Sequence, residues 1–349
     1  MIDPIAAKNR DTDPLTDEQI ENCLRATEMD WTLERSEAIS EGSETTYQIE
    51  VIDETNATTE VIFKTAGLSS TSEFVHEPRI HRFVATETNI PVPSIYTAVT
   101  DPELVDRPFY LMEYIDGSSL ESDEEWIGTL EADCGPDALA GLARTAGRHL
   151  AQLHELGPVE GVGKLTVGDD GIVIKDNSTA WGDWMRGSLD SPYLEYLGEI
   201  ESDVRDYIRE ATATLPKVPL VPMHYDYRPG NLLVDADTYE LKAVLDWGAV
   251  RSGHYEYELV LCEQYLTQWS SYDAERRSIV RENLYAGYER YRTLDRDAKF
   301  RDRRHLYQLV TRISALHVLP YYSETKQDRL WSHHWQFFKD VVDIIETAS

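Results

Sequence analysis

The chain has 349 residues, enough for about two domains and an ample buried core. Its formal net charge is −31, from 64 acidic against 33 basic residues, and only nine of the basic residues are Lys. That balance argues against a nucleic-acid partner, and acid spread through nearly every segment suggests adaptation to concentrated salt, where self-repulsion is screened.

Cys23, Cys134 and Cys262 are far apart and share no ligand spacing, so neither a disulfide framework nor a zinc site is indicated. Residues 1–14 are acidic without an apolar core, and no run approaches the ~18 apolar residues of a membrane span. A cytoplasmic protein with no membrane partner is expected.

In chain order, Thr16-Asp17-Glu18-Gln19 is a capping-box pattern that opens a helix with Ile20, Cys23 and Leu24 on one face. The period then changes. Residues 31–39, 45–52 and 58–65 read as a three-stranded meander, with polar turns at 41–44 and 53–56. The first turn contains Gly42 and Ser43, and by itself it reads equally as a plain hairpin turn. Lys64 interrupts an otherwise apolar strand and is the only Lys between Lys8 and Lys164.

Residues 72–87 carry helical spacing through Phe74, Ile80, Phe83 and Val84. Glu77 lies in this stretch, but Pro78 follows it, and proline suits only the first turn of a helix. Residues 107–117 carry an apolar strand, including Met112, Glu113 and Ile115, into a turn at Gly117. After Gly117 the patterns become helical, which places a lobe boundary there. Residues 121–137 read as an irregular acidic insertion.

Residues 138–156 form a helix with a buried stripe, and 164–175 a hairpin around 168–171. His149 and His154, five apart, read as packing or capping groups rather than metal ligands. Two further helices are expected at 180–188 and 199–215, and three long ones at 273–292, 297–319 and 326–347. The aromatics of the tail, among them Trp331, Trp335, Phe337 and Phe338, read mainly as helix packing, with the wall of an acceptor pocket as the other use.

The most informative stretch is His224-Tyr225-Asp226-Tyr227-Arg228-Pro229-Gly230-Asn231, entered by an apolar run and followed by Leu245-Asp246-Trp247. Phosphoryl transfer uses an Asp that takes the acceptor hydroxyl's proton, an Asn five residues on, and a later Asp on the metal. Asp226, Asn231 and Asp246 fit that pattern, and Asn and Asp supply the hard oxygens that Mg²⁺ prefers. A hairpin of 232–234 with 241–245 would return Asp246 towards Asn231. Read blandly, the same loop is a polar turn in which Asp226 and Asn231 cap backbone groups.

On these residues the chain resembles the aminoglycoside phosphotransferase and choline kinase branch of the protein-kinase-like fold, whose loop usually reads His-Gly-Asp-x-x-x-x-Asn followed by Ile-Asp-Trp. The resemblance covers most of residues 31 to 345 and is strongest here. It implies an α+β, two-lobed fold, with a small antiparallel β-sheet N-lobe over 31–116, a larger helical C-lobe over 117–349, and residues 1–30 as a helical appendage. It implies ATP, or another nucleoside triphosphate, and Mg²⁺, with the nucleotide between the lobes.

By the same resemblance, the turn with Gly42 and Ser43 lies over the phosphates. Lys64 holds the α- and β-phosphates, with Glu77 as its carboxylate partner and Glu73 as the alternative. The main chain of Glu113 and Ile115 meets the adenine, and Met112 borders the pocket. Asn231 and Asp246 hold the metal, and Arg228 either neutralises the transferring group or tethers the loop. Glu258 stands where the family has an Asp that anchors the following helix. The expected acceptor is a small hydroxylated molecule, aminoglycoside-, sugar- or amino-alcohol-like.

No Gly-x-x-x-x-Gly-Lys-Ser/Thr occurs, which excludes a P-loop. A protein kinase would carry a multi-glycine loop and a long activation segment, and only six residues separate Asp246 from Gly253. A pseudokinase that senses a nucleotide or metabolite without transfer is the rival from another class.

Overall fold

A computed structural model describes residues 14–39, 44–66, 74–101, 107–120, 129–169, 171–175, 178–270, 274–321 and 324–348. The chain divides into two units, Met1–Asp116 with Ala243–Gly248, and Gly117–Lys242 with Ala249–Ser349.

The first unit opens with helix α1 (Asp17–Arg25), where the Thr16 side chain accepts from the Gln19 N–H and the Gln19 side chain returns to the Thr16 N–H. Strands β1 (Thr32–Ile39), β2 (Thr45–Ile52) and β3 (Thr58–Thr65), helix α2 (Glu77–Glu87), and strands β4 (Ile95–Val99) and β5 (Phe109–Glu113) follow. The five strands form one sheet in the order β1-β2-β3-β5-β4, and all its pairings are antiparallel.

Alternation along the strands divides the unit's core. Val61, Phe63 and Phe109 pack on one face with Ile20 and Leu24 of α1, while Ile62, Tyr110 and Met112 pack on the other with Phe74. The five residues of β3 from Val61 to Thr65 are buried, so both faces of this strand are covered. Lys64 falls on the Ile62 face, opposite Tyr110 in the β3–β5 register.

Helix α2 begins later than the helical spacing from residue 72 suggests. It opens at Glu77 with Pro78 in its first turn, where a missing N–H costs no intrahelical bond. Gly42, Ser43 and Glu73 lie outside the described residues.

The second unit begins with the short strand β6 (Ser118–Ser119) and helix α3 (Thr129–Glu155). The irregular insertion expected up to residue 137 is helical from Thr129, and the sequence misleads because Gly135, at φ 73° and ψ 167°, interrupts the helix immediately before Pro136. Strands β7 (Leu165–Gly168) and β8 (Gly171–Ile174) form the expected hairpin. Helices α4 (Trp181–Arg186) and α5 (Glu201–Ala213) follow, separated by the 3₁₀ turns Gly187–Asp190 and Pro192–Ile200 that the helical spacing did not reveal.

Strand β9 (Leu220–Met223) leads into the His224–Asn231 loop. Strand β10 (Leu232–Val234) leaves it and pairs with β6 and with β11 (Leu241–Val244), through which the chain passes back to the first unit. Strand β12 (Arg251–His254) pairs antiparallel with β9, and Arg251 stands opposite Met223. Four helices complete the unit: α6 (Tyr255–Leu266), α7 (Glu275–Tyr288), α8 (Phe300–Ala315) and α9 (Glu324–Ala348). Among the described residues no helix is long and apolar enough to cross a membrane.

Helix α6 runs through the core, buried at every residue except Tyr265. Its buried acids are each met by a partner: Glu256 by Arg303, Glu263 by Arg277 and Arg304, and Glu258 by His154. These partners are what permits three carboxylates on a core helix, since a buried charge without a partner is far costlier than one with.

Candidate active site

The His224–Asn231 loop is held by its own side chains. The Asn231 amide Nδ2 donates to the Asp226 carbonyl at 2.9 Å and to Asp226 Oδ2 at 2.8 Å. The Arg228 Nε donates to the same Oδ2 at 3.3 Å, which is the tether expected as one of its two uses. The 3₁₀ turn Pro229–Asn231 closes the loop, with the Asn231 N–H on the Arg228 carbonyl. The amide that fixes the loop leaves the Asn231 Oδ1 as a neutral hard oxygen. The Asp226 carboxylate is 24 % exposed, so it is oriented without being sealed from an incoming hydroxyl.

Tyr265, from the end of α6, also bears on Asp226. Burial raises its phenol well above the ordinary range, and the nearby Asp226 carboxylate raises it further. Sequence reasoning missed Tyr265, because a tyrosine 39 positions downstream gives no local signal.

Tyr225 occupies the place where the resemblance expects glycine, and its φ of 69° explains that preference. A left-handed non-glycine residue costs on the order of 1–3 kcal/mol. The conformation is held by Glu258, whose Oε1 accepts from the Tyr225 N–H at 2.8 Å, while its Oε2 meets His154 Nε2 at 2.7 Å. The longer carboxylate at this position thus reaches a backbone donor. His149 binds the Tyr227 hydroxyl at 3.0 Å, and burial, aided by Arg148, lowers it to about 4. Both histidines are packing and hydrogen-bonding groups.

In the first unit, Lys64, Glu77 and Asp246 come together. The Lys64 ammonium is 2.8 Å from Glu77 Oε1 and 3.7 Å from Asp246 Oδ1, and His81 Nε2 stands 3.8 Å from the same Glu77 oxygen. Burial by itself would lower the Lys64 ammonium, but Glu77, helped by Tyr110 and Asp246, holds it well above its usual value. Burial would raise Glu77, but Lys64 and then His81 bring it down to about 2. The pair is therefore ionised across the physiological range.

Asp246 has φ 59° and its side chain is 39 % exposed, so its carboxylate remains reachable beside a fixed cation. The Trp247 indole donates to the Val244 carbonyl at 3.1 Å and fixes the turn that follows. His81, four residues after Glu77 on α2, was detectable from helical spacing. Tyr110 needed the β3–β5 register.

Met112 is buried beside Ile62 and Tyr110. The Glu113 N–H donates to the Ser94 carbonyl at 2.9 Å, so base pairing by this residue would fall on its carbonyl alone. The main chain of Ile115 makes no hydrogen bond among the described residues. Asp226 and Asn231 belong to the second unit, and Lys64, Glu77, Met112, Glu113, Ile115 and Asp246 to the first.

No group of three His, Cys, Asp or Glu that could hold a metal occurs among the described residues. Mg²⁺ is usually bound through one or two carboxylates plus substrate phosphates and waters, and the Asp246 carboxylate and the Asn231 amide offer oxygen donors of that kind.

The family described as "Phosphotransferase enzyme family" matches residues 36–300. Among solved structures, one assigned as an aminoglycoside phosphotransferase of Ralstonia eutropha JMP134 superposes with a TM-score of 0.61 at 14% identity, covering 93% of this chain and 98% of that one. The aminoglycoside phosphotransferase APH(4)-Ia, in a ternary complex with ADP and hygromycin B, gives 0.57 at 14% identity over 89% of this chain and 94% of that one. Amicoumacin kinase hAmiN, in complex with AMP-PNP, Ca²⁺ and Ami, gives 0.57 at 14% identity over 94% of each chain. Among curated proteins, the Arabidopsis thaliana acyl-CoA dehydrogenase-named protein IBR3 is 24% identical over 183 residues, 52% of this chain and only 21% of that protein's length.

Proposed function

The chain belongs to the phosphotransferase enzyme family, and from that premise we propose that it transfers the γ-phosphoryl group of ATP, or another nucleoside triphosphate, to a hydroxyl of a small molecule. The observation that carries this reading is the buried Lys64–Glu77 pair with the accessible Asp246 carboxylate beside it. Retaining a buried ammonium requires a compensating charge, and a lysine kept charged next to a half-exposed carboxylate is suited to polyphosphate with a metal ion.

In the reaction, an acceptor oxygen bonds to the γ-phosphorus, the bridging β–γ oxygen bond breaks, and ADP leaves. The hydroxyl proton passes to Asp226, which Asn231 and Arg228 orient. A positioned base of this kind contributes typically about 10²–10⁴-fold in rate. Lys64 holds the donor phosphates, with Glu77 fixing its position. Asn231 and Asp246 would hold Mg²⁺, which when bound neutralises phosphate charge. The structural relatives with bound ADP or AMP-PNP support the nucleotide assignment.

The test is steady-state ADP release from MgATP by the full chain, with and without a broad panel of hydroxylated sugars, amino alcohols and aminoglycosides. Acceptor-dependent release is expected. Nucleotide binding with no acceptor-dependent turnover across the panel would identify a sensor instead.

A further inference from the structure

Arg251 lies in the second unit, opposite Met223 in the β12–β9 register and so alongside the entry to the His224–Asn231 loop. Its guanidinium sits 4.6 Å from the centre of the Tyr225 ring and 5.3 Å from that of Trp184. Tyr225 is peptide-bonded to Asp226, and all three side chains are half-buried. The two ring centres lie 6.4 Å apart with their planes at 75°, so the rings pack against the guanidinium from adjacent sides, and its terminal N–H donors are the part able to bind.

The other well-buried arginines of this unit are all engaged. Arg277 and Arg304 hold Glu263, Arg303 holds Glu256, and Arg312 holds Gln264 and two main-chain carbonyls. The Arg251 guanidinium makes no ion pair or hydrogen bond with any described residue, and its Nε is buried without a partner. In a chain with 64 acidic residues, the missing carboxylate does not reflect short supply. The strain at Tyr225 points the same way. A glycine would adopt φ 69° at no cost, so the side chain retained there is kept for what its ring does.

We propose that Arg251, packed against Tyr225 and Trp184, is a specificity-determining residue that reads an oxyanion, a carboxylate or a phosphate ester, on the hydroxylated acceptor. This rests on the phosphotransferase reading and narrows its substrate class. A planar fork held against two rings suits bidentate recognition of an oxyanion and repels an ammonium group placed at the same point.

The experiment measures acceptor-dependent ADP release with matched acceptors: glycerate against glycerol, gluconate against glucose, glucose 6-phosphate against glucose, and hygromycin B as the cationic case. The anionic member of at least one pair is expected to exceed its neutral partner by 10-fold or more in kcat/KM, and the arm that does so separates carboxylate from phosphate. Arg251→Gln should raise KM for that acceptor about 10- to 100-fold with kcat changed only a few-fold, as loss of an anchoring contact predicts. Arg251→Lys keeps the charge without the fork and should fall between. Tyr225→Gly relieves the backbone while removing one of the two rings that hold the guanidinium, and should raise the same KM without loss of fold.

Preference for neutral or cationic acceptors, or an anion preference that survives Arg251→Gln, overturns the assignment while phosphotransfer stands. If no acceptor of any charge is phosphorylated although MgATP still stabilises the protein, the phosphotransferase reading falls and this assignment with it.

Discussion

The Lys64 ammonium and the Glu77 carboxylate meet at 2.8 Å with both side chains almost fully removed from water. A strand that buries apolar residues on both faces therefore contains one cation, and a helix start contains the anion that makes it tolerable. Removing one partner of such a pair costs about 3–5 kcal/mol, whereas replacing both by apolar groups is often neutral. Glu77→Ala is therefore expected to destabilise the protein by about 3 kcal/mol, and Lys64→Met with Glu77→Leu to recover most of it while abolishing phosphotransfer. Urea unfolding decides this, and a double variant no more stable than Glu77→Ala would contradict it. Because Glu77 titrates at about 2 in the fold against 4.5 unfolded, its contribution is present above pH 4.5 and lost as pH falls towards 2.

Acid should act earlier through buried histidines. Burial, reinforced by arginines, lowers His254 to about 3 and His149 and His333 to about 4, against an ordinary 6.5. Between those values and 6.5 the unfolded chain binds the extra protons, so stability falls as pH drops below 6.5 and the loss levels off near 3. At about 1.4 kcal/mol per pKa unit, each histidine can contribute up to about 2 kcal/mol of loss between pH 6.5 and 5. Unfolding free energies at pH 7.5 and 5 measure the total, and His254→Gln should reduce the slope.

Asp226→Asn and Asp246→Asn should fail differently, the first on the acceptor side and the second on the metal side. Asp226→Asn should lower turnover by about 10²–10⁴-fold and keep the thermal shift produced by MgATP. Asp246→Asn should shrink that shift, because a carboxylate would leave the proposed Mg²⁺ site. Melting curves with and without MgATP, alongside turnover, check both. Loss of the shift in Asp226→Asn with full activity in Asp246→Asn would reverse the roles.

Helices α3 and α7 cross on two glycines. A Cβ at Gly147 would stand 2.0 Å from the Leu284 carbonyl oxygen, and one at Gly287 would stand 2.0 Å from that of Arg144. Alanine improves helix propensity by about 1 kcal/mol, but forcing two backbones apart costs typically about 1–3 kcal/mol or more. Gly147→Ala and Gly287→Ala should each lower Tm, whereas Gly141→Ala on the same helix, with open space around it, should raise it slightly.

Salt should stabilise the chain. With a formal charge of −31, screening relieves more repulsion in the folded state than in the expanded one. Tm is expected to rise from low to molar KCl, and a flat profile would refute the idea.

The sequence by itself determined the features written in short-range chemistry. The capping box of α1, the alternation of β1 to β3 and the Asp226–Asn231 spacing are set by residues within one turn or one strand, so they are legible without a fold. The lone Lys64 in an apolar strand was visible for the same reason, and Pro78 limited how the helix bearing Glu77 could begin.

Only the tertiary structure decided what depends on distant partners. Helix α6 has no apolar stripe to detect, because its glutamates are met by arginines and a histidine from α3, α7 and α8. Tyr265 reaches Asp226, and Arg251 reaches Tyr225 and Trp184, through chain reversals that bring together residues 26 to 67 positions apart. Side-chain charge is a property of the sequence, but whether that charge is paired, and with what, is settled by packing.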